Sequence, residues 1–581
     1  MILANNSMRI TKLLASIIGV GLFSLSLFSC SSNKVKNCTL YGTIKQSDSA
    51  EVVATFKKGQ KKNNTTIEMF GSNAEKNNNG LVFLYNRGIL FNKTNTGSIK
   101  QMIINISDEC FESAKVFYGQ SPLPVEKSQS LVLGENIISF TEENKGFFVI
   151  QNQGADFNID SISYTYTNDV VESSREELPS IHINTENNKS VTSLTKYVNC
   201  QIVTDEYPDG LTSEIKVRGN STANLKKKPY RIKLNKKASL FGYQKSKNYI
   251  LLADYMDASK MHNYAALKFS RLLRDLDEFA PNPMHVNVYL NDNYRGVYLM
   301  CEHIDEKAEH MNLAQDEIWN LGFDDINFYL DRDASSQYED EAEEGQTYLE
   351  IKVENYPMES YFFEMKYPEK DDFIEEKDDG TELFHKNEWN AYVSNLRSYL
   401  TNVCNAFANY YASPSNFSLI DELVDVNSLA TFGVVDQLLC EADHIYKSFK
   451  LFKRGEKLEF GPCWDYDACS LGFPYADGYT EDPFEHDATQ IDYIFELWAQ
   501  TLYNDEVNGK PLYQSIWDSL SEAALIDYVN DLYQEIADIS YDLLTDCEKW
   551  VNKKYYVVFD NISFVTYYFT NKINFLKNGR P

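Results

Sequence analysis

Three carboxylates in this chain stand at a spacing that could do chemistry. Asp443, in Ala442-Asp443-His444, is followed after one strand's worth of residues by Gly461-Pro462-Cys463-Trp464-Asp465-Tyr466-Asp467. The stretch between them reads as a β-hairpin, with one acidic residue at one end and a pair at the other. Asp465 and Asp467, two apart on extended chain, project to the same side. Oxygen ligands gathered in this way suit a magnesium ion held against a polyphosphate, and the chemistry that uses such a clamp is phosphoryl transfer.

A phosphate also needs donors. Leu211 to Val217 reads as a strand that runs into Arg218-Gly219-Asn220-Ser221-Thr222, a tight turn whose glycine and small polar residues leave backbone N–H groups available to an anion. A basic strand follows at once, Lys226-Lys227-Lys228-Pro229-Tyr230-Arg231-Ile232-Lys233-Leu234. On it Arg231 and Lys233 share one face while Tyr230, Ile232 and Leu234 share the other, which makes one face basic and one buried. A loop followed by a basic strand is how kinase-like small lobes hold ATP phosphates. An edge strand with solvated lysines has the same composition.

The elements that position these residues come next in the chain. Asp257-Ala258-Ser259 is a helix start, followed by Met261, Ala265, Phe269, Leu272 and Leu276 at helical spacing. Met284 to Leu290, the turn Asn291-Asp292-Asn293 and Arg295 to Cys301 form a hairpin that leads into Glu302. Strand, loop, basic strand, helix and hairpin is the element order of a protein-kinase-like small lobe.

Several of these segments together resemble the spore-coat protein H (CotH) kinase family: Arg218-Gly219-Asn220-Ser221-Thr222, Lys227 to Leu234, Leu251-Leu252-Ala253-Asp254-Tyr255-Met256-Asp257, Gly296-Val297-Tyr298-Leu299 with Glu302, and Trp464-Asp465-Tyr466-Asp467. They fall in the family's order and cover the chain from Leu178 onward. The resemblance implies a bilobal protein-kinase-like fold with a helical C-terminal part. It also implies an activity that uses ATP with Mg2+ or Mn2+ to phosphorylate Ser or Thr of exported proteins. Carried over residue by residue, Asp443 matches the catalytic-loop aspartate that orients the acceptor hydroxyl and takes its proton. Asp465 matches the metal-binding aspartate, with Asp467 close enough to share the metal's shell. Arg218 and the loop Gly219, Asn220, Ser221 and Thr222 would cover the phosphates, and their cationic partner is Lys228 or Lys233, between which the sequence does not choose. Glu302 stands where a kinase hinge would approach adenine, or merely caps a strand. Ser448 occupies the place of an asparagine that serves many relatives as second metal ligand, and a hydroxyl binds magnesium more weakly. The alternative is therefore a catalytically inactive kinase-like scaffold in a cell-surface adhesion or carbohydrate-binding lipoprotein.

Composition bounds the rest. With 581 residues, 43% of them hydrophobic, the chain holds two or three domains and is α+β. A formal net charge of -30 repels a phosphate backbone, so no nucleic acid is expected as partner. Arg9 and Lys12 precede an apolar run from Leu13 to Phe28, shorter than the ~20 residues of a membrane span and ordered like a secretory signal. Leu27-Phe28-Ser29-Cys30 resembles the bacterial lipobox. On that reading residues 1–29 are a signal peptide, Cys30 is lipidated, 30–37 is a tether, and the protein sits on the extracytoplasmic face of the cell membrane. An ordinary signal peptide and an uncleaved anchor are the alternatives.

Residues 38–168 read as a β-sandwich from short alternating runs, closed by Ser161-Ile162-Ser163-Tyr164-Thr165-Tyr166. Its aromatics could bind carbohydrate or fill the core. Residues 169–178 are the linker, and 179–581 the kinase-like domain, with a small lobe at about 179–305 and a large lobe at about 306–581. The nine cysteines after Cys30 show no C-x-x-C pair and are odd in number, which leaves at least one free thiol. Neither H-E-x-x-H nor G-x-S-x-G occurs, which argues against a zinc hydrolase and an α/β-hydrolase. Glycoside hydrolysis by Asp465 and Asp467 fails because two carboxylates on one side of a strand cannot straddle a sugar. The run Glu339 to Glu344 reads as a solvated loop, with calcium binding as the alternative. Tyr493, Ile494, Leu497 and Trp498, and later Leu525, Tyr528, Leu532 and Ile536, are core stripes of helices.

Overall fold

The computed structural model describes residues 35–46, 51–64, 66–76, 79–95, 97–140, 146–167, 177–219, 221–243, 245–273, 280–307, 311–333, 347–353, 360–412, 417–439, 448–466, 506–507 and 510–578. The signal peptide, Cys30, Asn220, Leu276, Asp443, Asp467, the acidic run and the stripe from Tyr493 to Trp498 lie outside these residues, as does most of the linker. The chain divides into two compact units, Met1–Val171 with Lys554–Tyr556, and Glu172–Lys553 with Val557–Pro581.

The first unit is built from β1 (Asn37–Gln46), β2 (Glu51–Lys57), β3 (Thr66–Glu75), β4 (Val82–Phe91), β5 (Ile99–Ile106), β6 (Ala114–Gly119), β7 (Lys127–Ser130), β8 (Gly134–Ser139), β9 (Phe147–Asn152), β10 (Phe157–Ile159) and β11 (Ser161–Thr167). They form one sheet in the order β7-β6-β9-β4-β3-β1-β2-β11-β5-β8, with β10 added on β4. The expected alternation is present in β11, where Ile162, Tyr164 and Tyr166 are buried and the residues between them half-buried. Four strands separate β9 from β11 in this order, yet the rings of Phe148 and Tyr164 lie 5.5 Å apart. The sheet must therefore fold back over a shared core that also holds Phe56, Met69 and Phe157. The sandwich is one continuous sheet doubled on itself rather than two separate ones.

The second unit opens with β12 (Ser180–Thr185), β13 (Val198–Thr204), β14 (Tyr207–Val217), β15 (Tyr230–Ala238) and β16 (Ser246–Leu252), followed by α1 (His262–Leu273) and the hairpin β17 (Met284–Leu290) and β18 (Asn293–Glu302). These strands close into a barrel in the order β12-β13-β14-β15-β16-β18-β17. Parallel pairing of Ser180 with Asn287 and Ile183 with Leu290 seals it. Ile183, Ile215, Ile232, Tyr249, Val288 and Tyr298 fill the interior. Asn291 and Asp292 turn the hairpin at φ 50° and 61°, the left-handed pair that a two-residue connection needs. Closure leaves the basic strand β15 flanked by β14 and β16, so it is not an edge strand, and its alternation is as expected: Ile232 and Leu234 buried, Lys233 exposed.

Beyond the barrel stand β19 (Phe328–Asp333), β20 (Thr347–Lys352), β21 (Ser360–Tyr367), the small hairpin β22 (Ile374–Glu376) with β23 (Glu382–Phe384), and β24 (Phe449–Lys453) and β25 (Leu458–Phe460). The larger sheet runs β20-β21-β19-β24-β25. The helices are α2 (Lys386–Ala412), α3 (Phe417–Leu423), α4 (Val426–Leu439), α5 (Leu512–Ser519), α6 (Glu522–Trp550) and α7 (Tyr555–Asn578); α2 packs on β20 and α4 on β25, whereas α6 packs on β18 of the barrel. Helix α4 is apolar on most sides and packs against α1 and α5, with Leu429, Phe432, Val435 and Leu438 buried. Ser521 caps α6 by accepting from Ala524 N at 3.0 Å. The stripe Leu525, Tyr528, Leu532 and Ile536 is buried, as its spacing predicts. Among the described residues no helix is long and apolar enough to cross a membrane.

Candidate functional site

The predicted hairpin exists as β24 and β25, in register from Leu451 opposite Phe460 to Lys453 opposite Leu458. Every residue of β24 is buried, because the strand runs between β19 and β25. The chain leaves β25 at Gly461, whose N–H donates to Lys450 O at 3.0 Å. The residue before β24 and a residue just past β25 thereby meet: Ser448 Oγ donates to Asp465 Oδ2 at 2.8 Å. Both lie in the left-handed region, at φ 61° and 69°, which side chains with a Cβ occupy only where their surroundings hold them.

The neighbours of Asp465 do that holding. Trp464 is buried, and the Arg218 guanidinium carbon lies 5.5 Å from its ring centroid, a cation–π contact. Tyr466 N donates to Asn263 Oδ1 at 2.7 Å, and its hydroxyl donates to Asp436 Oδ1 at 2.7 Å. Burial, together with the Asp436 charge, pushes the Tyr466 hydroxyl well above its ordinary value. Asp465 thus stands between a residue tied to the barrel turn and one tied to α1 and α4.

The turn itself is built as its sequence requires. Arg218 N donates to Pro229 O at 3.2 Å, joining the two ends of the loop. Gly219 has φ 85°, and a Cβ there would sit 2.4 Å from Thr222 Oγ1, so only glycine fits. A single helical turn spans Ser221–Asn224. Lys228 stays with it, Nζ donating to Ala223 O at 2.5 Å. Lys233 instead lies on the outer face of the barrel, 5.8 Å from the Tyr197 ring centroid. Glu302 is buried at the end of β18, where Oε2 accepts from Asn282 N at 3.2 Å. The structure therefore joins Ser448 to Asp465, sets Arg218 against the neighbouring Trp464, keeps Lys228 on the loop, and leaves Lys233 on another face.

A buried polar network escaped the sequence reading. Lys227 is wholly buried and donates to Val297 O and, at 2.9 Å, to Asp546 Oδ1 of α6. Val297 N donates to the same oxygen at 3.0 Å. Burial lowers the Lys227 ammonium to about 8 in spite of Asp546. A Cβ on Gly296 would stand 2.1 Å from Asp546 Oδ1, so the bare glycine lets this carboxylate reach the strand. Lys260 Nζ donates to Asp254 O at 2.6 Å and to Asp257 O at 2.7 Å. Asp257 accepts from Ser259 N at 2.8 Å and His262 N at 3.0 Å; the helix expected to start at Asp257-Ala258-Ser259 begins at His262 instead. Asp254 Oδ1 accepts from Asn263 Nδ2 at 2.9 Å. Burial raises the Asp254 carboxyl, with Asp257 adding to the effect. The only advance signal was the pair of aspartates in the Leu251–Asp257 motif. Asn263 and Asp546 look like ordinary helix residues.

Ser448 and Asp465 offer only oxygen, which fits a hard divalent cation and not a soft one. Among the described residues no three His, Cys, Asp or Glu side chains gather as a metal site. Asp443 and Asp467, the other expected members, lie outside them. Cys38, Cys110, Cys200 and Cys301 are free thiols, in keeping with the odd count.

A sequence model of a protein family described as CotH kinase protein matches residues 215–578, from the end of β14 to the end of α7. No curated protein matches the chain.

Proposed function

The chain belongs to the CotH kinase family and is kinase-like, and from this premise we propose that it is a surface-anchored atypical protein kinase moving the γ-phosphoryl of ATP to Ser or Thr of exported proteins. In this reading the barrel and the helical half act as its two lobes. One observation carries it: Arg218, at the end of the glycine turn, stacks on Trp464, next to Asp465. A cation suited to phosphate is therefore anchored on the residue that precedes a carboxylate suited to a divalent cation.

Asp465 and Ser448 would hold Mg2+ or Mn2+, with Asp467 as the third candidate ligand, and the cation would supply charge neutralisation at the terminal phosphates. The loop Gly219, Asn220 and Ser221 would cover the phosphates, and Lys228 and Arg218 would add positive charge. Asp443 orients the acceptor hydroxyl and accepts its proton. Glu302 caps the last barrel strand at the adenine side. The lipid on Cys30 keeps the protein at the membrane, and the N-terminal unit serves for attachment, with carbohydrate as its candidate ligand.

A second reading, an inactive kinase-like scaffold, draws on Ser448, a weaker ligand than asparagine. Two measurements on the full chain separate them. Nucleotide with Mg2+ or Mn2+ at ~100 times its dissociation constant should stabilise the fold by about 2.7 kcal/mol; no shift with any nucleotide favours the scaffold. Radiolabel from ATP should pass to exported proteins with wild type and fall about 100-fold or more with Asp465→Ala, the scale of losing a principal electrostatic contact to a reacting group. Equal labelling by both would remove Asp465 from the site.

A further inference from the structure

The peptide that follows Asp465 is gripped from behind by a relay that the family reading does not assign. Asn263, 2% exposed on the first turn of α1, uses both ends of its amide: Oδ1 accepts from Tyr466 N at 2.7 Å and Nδ2 donates to Asp254 Oδ1 at 2.9 Å. A flipped amide would set Nδ2 against an N–H and Oδ1 against a carboxylate. The donor-only Tyr466 N–H and the acceptor carboxylate of Asp254 therefore choose one orientation. Asp254 is itself constrained, 5% exposed at φ 39°, with its carbonyl tied to Lys260 Nζ. Its other oxygen, Oδ2, is buried without a hydrogen-bond partner. A buried carboxylate oxygen left so is costly, and the Asn263 contact is the work its partner oxygen does.

Asp465 needs such a restraint. A non-glycine residue at φ 69° is strained and relaxes unless its neighbours over-determine it. We propose that Asn263 is a positioning residue for Asp465, clamping the Asp465–Tyr466 peptide, and that Asp254 sets the amide orientation that makes the clamp. The inference rests on the reading of Asp465 as a metal ligand for its purpose, but the clamp can be measured without that reading.

The test uses the full chain and two readouts: hydrogen exchange of the Tyr466 amide, and Mn2+ binding followed by the resonance of the free ion. Asn263→Leu removes both bonds, and Asn263→Asp sets two carboxylates against each other. Asn263→Leu should speed Tyr466 exchange by about tenfold or more, as expected for losing a buried hydrogen bond; Asn263→Asp keeps an acceptor for Tyr466 N but loses the donor that orients it against Asp254 and should speed exchange by less; both should weaken Mn2+ binding. The double variant Asp254→Asn with Asn263→Asp exchanges the two groups: the amide now at position 254 donates to the carboxylate now at 263, whose second oxygen accepts from Tyr466 N. It should restore both readouts towards wild type, an outcome that loss of a merely structural residue would not produce. Unchanged Tyr466 exchange in folded Asn263→Leu, or a folded double variant as loose as Asn263→Asp, overturns the proposal. If Asn263→Leu does not fold, the comparison of Asn263→Asp with the double variant decides alone. Wild type that binds no Mn2+ removes the metal reading, while Tyr466 exchange still decides the clamp.

Discussion

Ser448 and Asp465 are 17 residues apart, yet the hydroxyl of one donates to the carboxylate of the other at 2.8 Å, and both have left-handed backbones. Hairpin β24–β25 creates the contact by returning the chain to its starting point. An asparagine would be as comfortable as serine at φ 61°, because its side chain tolerates that region.

Ser448→Asn should therefore fold as well as wild type and give an equal or larger thermal shift with Mg2+ and ATP. Ser448→Ala, which removes the donor to Asp465, should raise the Mg2+ concentration needed for half of that shift by about tenfold, on the scale of a hydrogen bond to a charged group. A magnesium titration of nucleotide-dependent melting checks both.

Arg218 lies over Trp464 and cannot be replaced by a mere charge. Arg218→Lys keeps the cation but loses the flat guanidinium and its forked donors. We expect Arg218→Ala to weaken ATP binding about tenfold or more and Arg218→Lys to recover only part of it, as read by nucleotide titration at fixed Mg2+.

Lys227 and Asp546 form a wholly buried pair, with side-chain exposures of 0% and 3%. Removing one partner strands the other, so Asp546→Ala should cost about 3–5 kcal/mol in urea unfolding. Gly296→Ala should also destabilise, since its backbone has φ 112° and the new methyl would meet Asp546 Oδ1. A wild-type unfolding midpoint in either variant would contradict the pairing.

His285 Nδ1 is bonded to Glu535 on α6 and Nε2 to Lys260 O, at 2.9 Å for the latter. Burial opposes the charged imidazole, but Glu535 outweighs it and holds His285 above its ordinary 6.5. Burial likewise raises Glu535, yet His285 holds it below its ordinary 4.5. A raised histidine contributes stability in full below 6.5 and loses it as pH climbs through the folded value. A lowered glutamate contributes in full above 4.5 and loses it as pH falls through the folded value. The pair should therefore stabilise most between about 4.5 and 6.5. The difference in urea midpoint between wild type and Glu535→Gln should be largest near pH 5.5 and shrink towards pH 8.5.

Cys30→Ala should abolish incorporation of labelled fatty acid and release the chain from the membrane fraction. An ordinary signal peptide would leave both unchanged from wild type, with no lipid in either.

Much of the architecture could be read locally. Alternation in β11, the Asn291-Asp292 turn and the buried stripe of α6 follow from side-chain period and turn chemistry, which act over a few residues. Less of the site was readable. Lys228 and Lys233 are indistinguishable on paper; in the fold one caps its own loop and the other lies over Tyr197. Lys227, between the candidate lysines and the strand's charged start, gave no sign that it would be buried. Its partner comes 319 residues later, and burial of a charge depends on what packs over it.

The amino-acid order alone determined the alternation of β11, the glycine turn at 219 and the Trp464–Asp465 segment, because periodicity and backbone freedom are properties of short stretches. Tertiary structure alone decided that the basic strand sits inside a closed barrel, sealed by Ser180 against Asn287. It alone decided that Arg218, Ser448, Asn263 and Asp254 converge on Asp465 and its neighbours. Such contacts join residues up to about 250 positions apart, and hydrogen bonds and ion pairs acquire their worth only when packing excludes water around both partners.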